Sequence, residues 1–403
     1  MKNVIIVALS CAIFAFNHLQ AAEPAPADSS PARANNAFAL DLYRQLQGQP
    51  GNLFFSPYSL ATALTMTHAG ARDHTAAQMA RVLHLETLAD PPAAWRRFTQ
   101  GLDESARTSG IQWHVANALW PQAGYPFREE FLRTIKNQFQ AGVFPCDYAR
   151  DPEAARQRIN TWVEEQTQRK ITELISPGVL TPLTRMVLVN AIYLKGRWEY
   201  AFPARDTADA PFHLPGGRTR LVPMMTQKQT LGYAENPDWQ ALSLPYQGGR
   251  WAMVFLLPRR VDGLAALEEQ MTAEKLAQWL QGLRPRQVTL FLPRFKLTSQ
   301  FQLNQKLAAL GMTDAFDMNQ ADFSGMDGRK ANLYLTAVVH KAAVEINEEG
   351  AEAAAASGVV VGVRSAPPQQ PLVFRADHPF LFLIRDQTTG AIIFLGRLTQ
   401  PEI

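Results

Sequence analysis

Helical patterns crowd the first half of this 403-residue chain and strand-like runs dominate the second, without regular alternation between them. Crossover units of strand, helix and parallel strand need that alternation. A doubly wound fold is therefore excluded, and an α+β architecture with largely antiparallel or mixed sheets is expected. Asn35-Asn36 precede the stripe Phe38, Leu42 and Leu46, a capped helix start, and Ser56-Pro57 open a second helix. Further helical patterns cover 75–83, 93–104, 128–138, 152–168, 262–281 and 303–310. Strands are expected over 111–120, 184–194, 251–257, 287–292, 333–346, 380–385 and 391–397, the last two flanking the turn Gln387-Thr388-Thr389-Gly390. No linker or internal repeat interrupts residues 35–403, which read as one large domain.

Composition narrows the function. With 47% hydrophobic residues the chain has apolar surface enough to fold. Its 39 basic and 36 acidic residues leave a formal charge of +3, too little to argue for nucleic acid or an anionic membrane as partner. Lys2, the apolar run Val4 to Phe16 and Ala21-Ala22 have the pattern of a signal peptide over 1–22, which predicts a secreted protein, extracellular or periplasmic, with a disordered segment over 23–34. Losing Cys11 with that leader leaves only Cys146, read as a buried thiol without a disulfide.

Enzyme signatures are missing: there is no Gly-x-Ser-x-Gly elbow, no His-Glu-x-x-His and no phosphate-binding glycine loop. His68, His74 and His84 do not have metal-ligand spacing, and no metal or cofactor is expected. Arg96, Arg97, Arg156, Arg158, Arg169 and Lys170 could touch a polyanion, but the interspersed Glu164 and Glu165 favour a solvated helix face.

One stretch departs from an ordinary fold. Residues 345–368 pass from a Glu/Ala run with helical propensity into a Val run with strand preference, punctuated by Gly358 and Gly362. Such conflict between local preferences marks a segment with two conformations. At period two, one face presents Ala351, Ala353, Ala355, Ser357, Val359 and Val361, small enough to enter a packed sheet. Gly350 before it is a natural hinge. Arg364-Ser365 follows at the far end, ahead of Pro367-Pro368.

With these features the sequence resembles the serpin family from about residue 35 to Pro401. The motifs that carry the resemblance are Asn52-Leu53-Phe54-Phe55-Ser56-Pro57-Tyr58-Ser59-Leu60, Asn117-Ala118-Leu119-Trp120, Asn160-x-Trp162-Val163 and Leu188 to Lys195 with Gly196-x-Trp198. Leu292-Pro293-Arg294-Phe295, Val339-His340-Lys341-Ala342 and Glu345 to Gly350 complete the set. The resemblance implies three sheets, about nine helices and an exposed reactive loop over 348–368. By similarity Arg364-Ser365 is the bond attacked by a target protease, with a hinge of Glu348, Gly350, Ala351, Glu352, Ala353, Ala354, Ala355, Ala356 and Ser357. Ser56, Ser59, Asn190 and His340 correspond to a polar cluster under the strands that part. Trp198, Arg294 and Glu348 correspond to the point of loop entry. The implied activity is suicide inhibition of trypsin-like serine proteases by a monomer with no catalytic residues of its own. The alternatives are a non-inhibitory binding protein of the same fold and an inhibitor of papain-like cysteine proteases. A secreted member of bacterial type is expected, with no polyanion cofactor supported. The family more often has Thr or Ser where Ala351 stands, and Gly where Arg169 stands.

Overall fold

The computed structural model describes residues 30–350 and 372–402, with the backbone alone for 114–116 and 190. Ten α-helices lie among them: α1 Pro31–Leu46, α2 Pro57–His68, α3 Asp73–Val82, α4 Pro91–Thr108, α5 Glu129–Phe139, α6 Pro152–Gln166, α7 Leu264–Gln270, α8 Ala273–Gln281, α9 Asn304–Ala309 and α10 Ser324–Asp327. Fourteen strands accompany them. They are β1 Leu53–Phe55, β2 Gln112–Pro121, β3 Gly142–Val143, β4 Met186–Lys195, β5 Ala208–His213, β6 Thr219–Glu235, β7 Trp239–Pro245, β8 Trp251–Pro258, β9 Arg284–Pro293, β10 Phe295–Gln302, β11 Val339–Ile346, β12 Leu372–Arg375, β13 Phe380–Asp386 and β14 Ile392–Leu398.

A recurrent start sets the helices. Ser30, Ser56, Asp90 and Asp151 each accept a backbone N–H with their side chain, and each is followed by Pro in the first turn. The first helix thus begins earlier than expected. Ser30 caps it, and residues 31–34, expected to be disordered, are helical. Asn35 is no cap: it is buried, and its Nδ2 donates to the carbonyl of Ile392 at 2.8 Å. The pattern over 262–281 splits into two helices because Thr272 caps a new start at Ala273.

Strands pair into two hydrogen-bonded sheets. The smaller runs β10-β11-β4-β2-β3, and the larger runs β1-β14-β13-β8-β7-β6-β9-β12 with β5 on β6. The 17-residue β6 pairs with β5, β9 and β7 in turn, so two of the three expected sheets share a strand. Strands β5 to β7 escaped the sequence reading. Between the sheets lies the core, where β8 and β14 are buried along their whole length and Phe54 stacks on Phe382 and Phe394. The strand expected over 333–346 starts only at Val339. The α+β expectation holds. No helix among the described residues is long and apolar enough to cross a membrane.

Candidate functional site

Strand β11 alternates half-buried and buried residues, the period-two signature of a strand with one covered face. Its two neighbours hold it very differently. Eight residue pairs join it antiparallel to β10, whereas one pair, Ala342 with Ile192, joins it parallel to β4. On its other side β4 makes ten pairs with β2. A seam therefore runs through the sheet, closed by side-chain packing and hardly at all by backbone hydrogen bonds.

The chain leaves β11 at the upper end of this seam through Asn347, Glu348, Glu349 and Gly350, and is tied down there. Trp198 Nε1 donates to the Asn347 carbonyl at 3.0 Å, Trp198 N–H to the Glu349 carbonyl at 2.9 Å and Phe202 N–H to the Glu348 carbonyl at 2.7 Å. The Glu348 carboxylate accepts from Arg294 Nε at 2.7 Å, from a second Arg294 nitrogen and from Thr207 Oγ1 at 2.6 Å. Burial pushes this carboxyl up, yet the Arg294 and Thr207 hydrogen bonds outweigh it and hold it below the usual carboxylate value. Gly350 sits at φ +126°, and a Cβ there would lie 2.1 Å from the Gly196 carbonyl oxygen, so only glycine fits. The loop-entry residues Trp198, Arg294 and Glu348 are thus brought together. Three participants were missed: Thr207, the backbone of Asn347, and Tyr246, whose ring stacks on Trp198 at 4.6 Å. Asn347 lies within the motif Glu345 to Gly350, but no motif marks Thr207 or Tyr246. Thr207 and Tyr246 reach the site only through the fold, Thr207 lying 141 residues from Glu348.

A second cluster lies under the middle of the seam. His340, on β11, is fully buried, and its Nε2 accepts the Ser56 N–H at 3.0 Å, which places the ring proton on Nδ1. Ser56 Oγ donates to the Ile393 carbonyl at 2.7 Å and caps α2 by accepting the Ser59 N–H at 3.1 Å. Ser59 Oγ and His340 Nδ1 find no hydrogen-bond partner among the described residues. Burial pushes the imidazole down to about 3, so it is neutral at pH 7. Asn190 lies on β4 opposite Asn117, and its side chain falls outside the described residues. Ser56 thus bonds to His340, Ser59 and the Ile393 carbonyl, linking α2, β11 and β14.

Hinge residues Ala351 to Ser357 and the bond Arg364-Ser365 lie outside the described residues, as does the proposed leader. Arg169 takes φ +61°, in the left-handed region where the family's usual Gly would be unstrained. No group of three or more potential metal ligands occurs among the described residues.

The family model described as "Serpin (serine protease inhibitor)" matches residues 33–401. Leukocyte elastase inhibitor A of Rattus norvegicus is 41% identical, covering 91% of this chain and 98% of its own. The bovine leukocyte elastase inhibitor is 42% identical over the same shares. Among solved structures, maspin superposes with a TM-score of 0.83 at 29% identity, covering 92% of this chain and 98% of its own. Uncleaved ovalbumin superposes at 0.82 and 32% identity, covering 93% and 100%. These relatives bear on one expectation and correct another. The two leukocyte elastase inhibitors are named for elastase rather than for a trypsin-like protease. Both inhibitors come from vertebrates, which overturns the expectation of a secreted member of bacterial type. Matched along 33–401 by the family model and sharing its fold with solved members, the chain belongs to the serpin family.

Proposed function

We propose that this serpin traps serine proteases irreversibly, with the loop after Gly350 as bait. The observation that carries the reading is the seam: two neighbouring strands joined at one residue pair, with Glu348 to Gly350 tethered at its open end. The protease serine attacks the carbonyl of the bait residue and forms an acyl-enzyme. The following residue leaves with a new amino group. The severed segment from Ala351 onward then enters between β4 and β11 as a central strand and gains hydrogen bonds on both edges, which neither edge has in full before. The ester carries the protease along and distorts it before water can release it.

Glu348 to Arg364 is seventeen residues, which favours Arg364-Ser365 as the bond attacked. An Arg there suits an acidic specificity pocket of the trypsin kind. The relatives' names support a second reading, an elastase cutting beside Val359, Val360, Val361 or Val363. One experiment separates them. The protein is mixed with trypsin or with elastase, the reaction is stopped with denaturant, and covalent bands of summed mass are sought. The released C-terminal fragment is sequenced: Ser365 at its start, with trypsin trapped and Arg364→Ala inactive, supports the first reading. Elastase trapping with a fragment beginning earlier supports the second, and cleavage without any covalent band sinks both.

A further inference from the structure

Below the seam lies a cavity of about 300 Å³ between α2, the first residues of β4 and the segment leading into β11. Leu60, Leu64, Leu188, Phe323, Met326 and Leu333 make its walls. Its rim is unusual. Of the seven large apolar side chains exposed among the described residues, Leu183 (77%), Met318 (61%) and Tyr334 (42%) all line this one cavity. A cluster of this kind marks a surface made to receive an apolar group.

The polar groups at the rim narrow the ligand further. Tyr125 OH donates to Asp327 Oδ2 at 2.7 Å, and Asn332 Nδ2 donates to the same carboxylate at 2.7 Å, so these three satisfy one another. Arg185 is the only charged residue lining the cavity. One of its terminal nitrogens, Nη1, donates to the carbonyls of Pro182 and Thr184 at 3.0 and 3.1 Å, and it has no carboxylate partner at salt-bridge distance among the described residues. Asp327 also accepts the Arg329 backbone N–H at 2.9 Å, so its carboxylate is engaged within this group and leaves Arg185 to a ligand.

We propose that this cavity binds a free medium-chain fatty acid, its acyl chain against the leucine and methionine walls and its carboxylate on Arg185. The volume sits at the small end of the range for ligand pockets, which fits a short acyl chain and excludes a helix. An arginine with spare donors is the natural carboxylate partner. Because Met186, Leu188 and Val339 belong to the strands flanking the seam, an occupant ties their leading ends together. That consequence rests on the insertion mechanism proposed above.

The binding test needs no protease. Sodium decanoate, below its micelle concentration, is titrated calorimetrically into the intact protein beside neutral 1-decanol. Decanoate is expected to bind at least tenfold more tightly than decanol, Arg185→Gln to bring the two level, and Ala63→Trp, which fills the cavity from α2, to remove both. Equal affinity for acid and alcohol in the unmodified protein, or decanoate binding undiminished in Ala63→Trp, overturns the site. Should Ala63→Trp unfold, Leu188→Trp fills the same space from β4 and decides instead. Saturating decanoate is then expected to slow protease trapping at least threefold in the unmodified protein and not in the filled variant. An unchanged rate overturns the coupling and leaves the site standing. Absence of trapping under any condition counts against the proposed function alone.

Discussion

On one side of β4 ten residue pairs join it to β2, and on the other a single pair joins it to β11, although both neighbours are comparably long. The first edge is an ordinary antiparallel ladder. The second brings two strands into one sheet while leaving most of their facing N–H and C=O groups without each other. Buried backbone groups seek partners, so a strand that supplied them would lower the free energy of the sheet. Where the two edges differ is thus where the molecule holds unspent hydrogen-bonding capacity. The tether at Glu348 and the cluster at His340 lie along the weak edge.

A covalent lock across that edge tests the comparison most severely. Neighbouring strands lie within the Cα separation that a disulfide spans, so Ile192→Cys with Ala342→Cys can be oxidised across the only residue pair of the seam. The oxidised protein is expected to trap no protease, and reduction to restore trapping. Full trapping by the oxidised form would show that the seam need not open.

The next effect is a dependence on pH. Burial lowers His340 from its ordinary 6.5 to about 3 in the folded protein. The unfolded chain therefore takes up a proton below pH ~6.5 that the folded protein refuses until pH ~3. Stability contributed by the neutral ring is complete above the unfolded value and falls by roughly 1 kcal/mol for each pH unit within that window. His340→Gln keeps an acceptor for the Ser56 N–H and cannot titrate. Urea denaturation at pH 7, 5.5 and 4 is expected to show a shallower acid loss for the variant, and parallel losses would refute the assignment to His340.

Much of this edge was legible in the sequence. Ser56-Pro57 announces a capped helix, Gly350 a special backbone, and the family motifs group Trp198, Arg294 and Glu348 at the loop entry and His340 with Ser56 and Ser59 beneath the strands. Local signals failed where tertiary contact decides. Asn35-Asn36 offer capping side chains, but the β14 backbone recruits them. Residues 333–338 have strand-like composition, yet the β10 ladder ends at Gln302 opposite Val339, and they are held instead by isolated hydrogen bonds such as those of Asn304 to Thr336 and Val338. Thr207 carries no mark at all, because its role depends on a carboxylate 141 residues away. Arg364 is a choice that spacing supports and the relatives' names do not.

Smaller effects belong to the tether. Gly350→Ala forces a Cβ into the Gly196 carbonyl at a positive φ and is expected to cost about 2–3 kcal/mol in urea denaturation. A cost below about 1 kcal/mol would mean that the loop start is not fixed as described.

Glu348→Gln should do least. It keeps a hydrogen-bond acceptor for Arg294 and removes only the charge, and Arg294 is 40% exposed, so solvent screening limits the loss to about 1 kcal/mol. The folded carboxyl is held below its ordinary 4.5. Its contribution is therefore complete above that value and disappears as pH falls through the lower, folded one. The two proteins should differ at pH 7 and converge in acid, a window below that of His340. If the difference persisted unchanged into acid, the tether would owe its strength to packing rather than to the ion pair. The contrast between the two edges of β4 would then rest on backbone pairing alone.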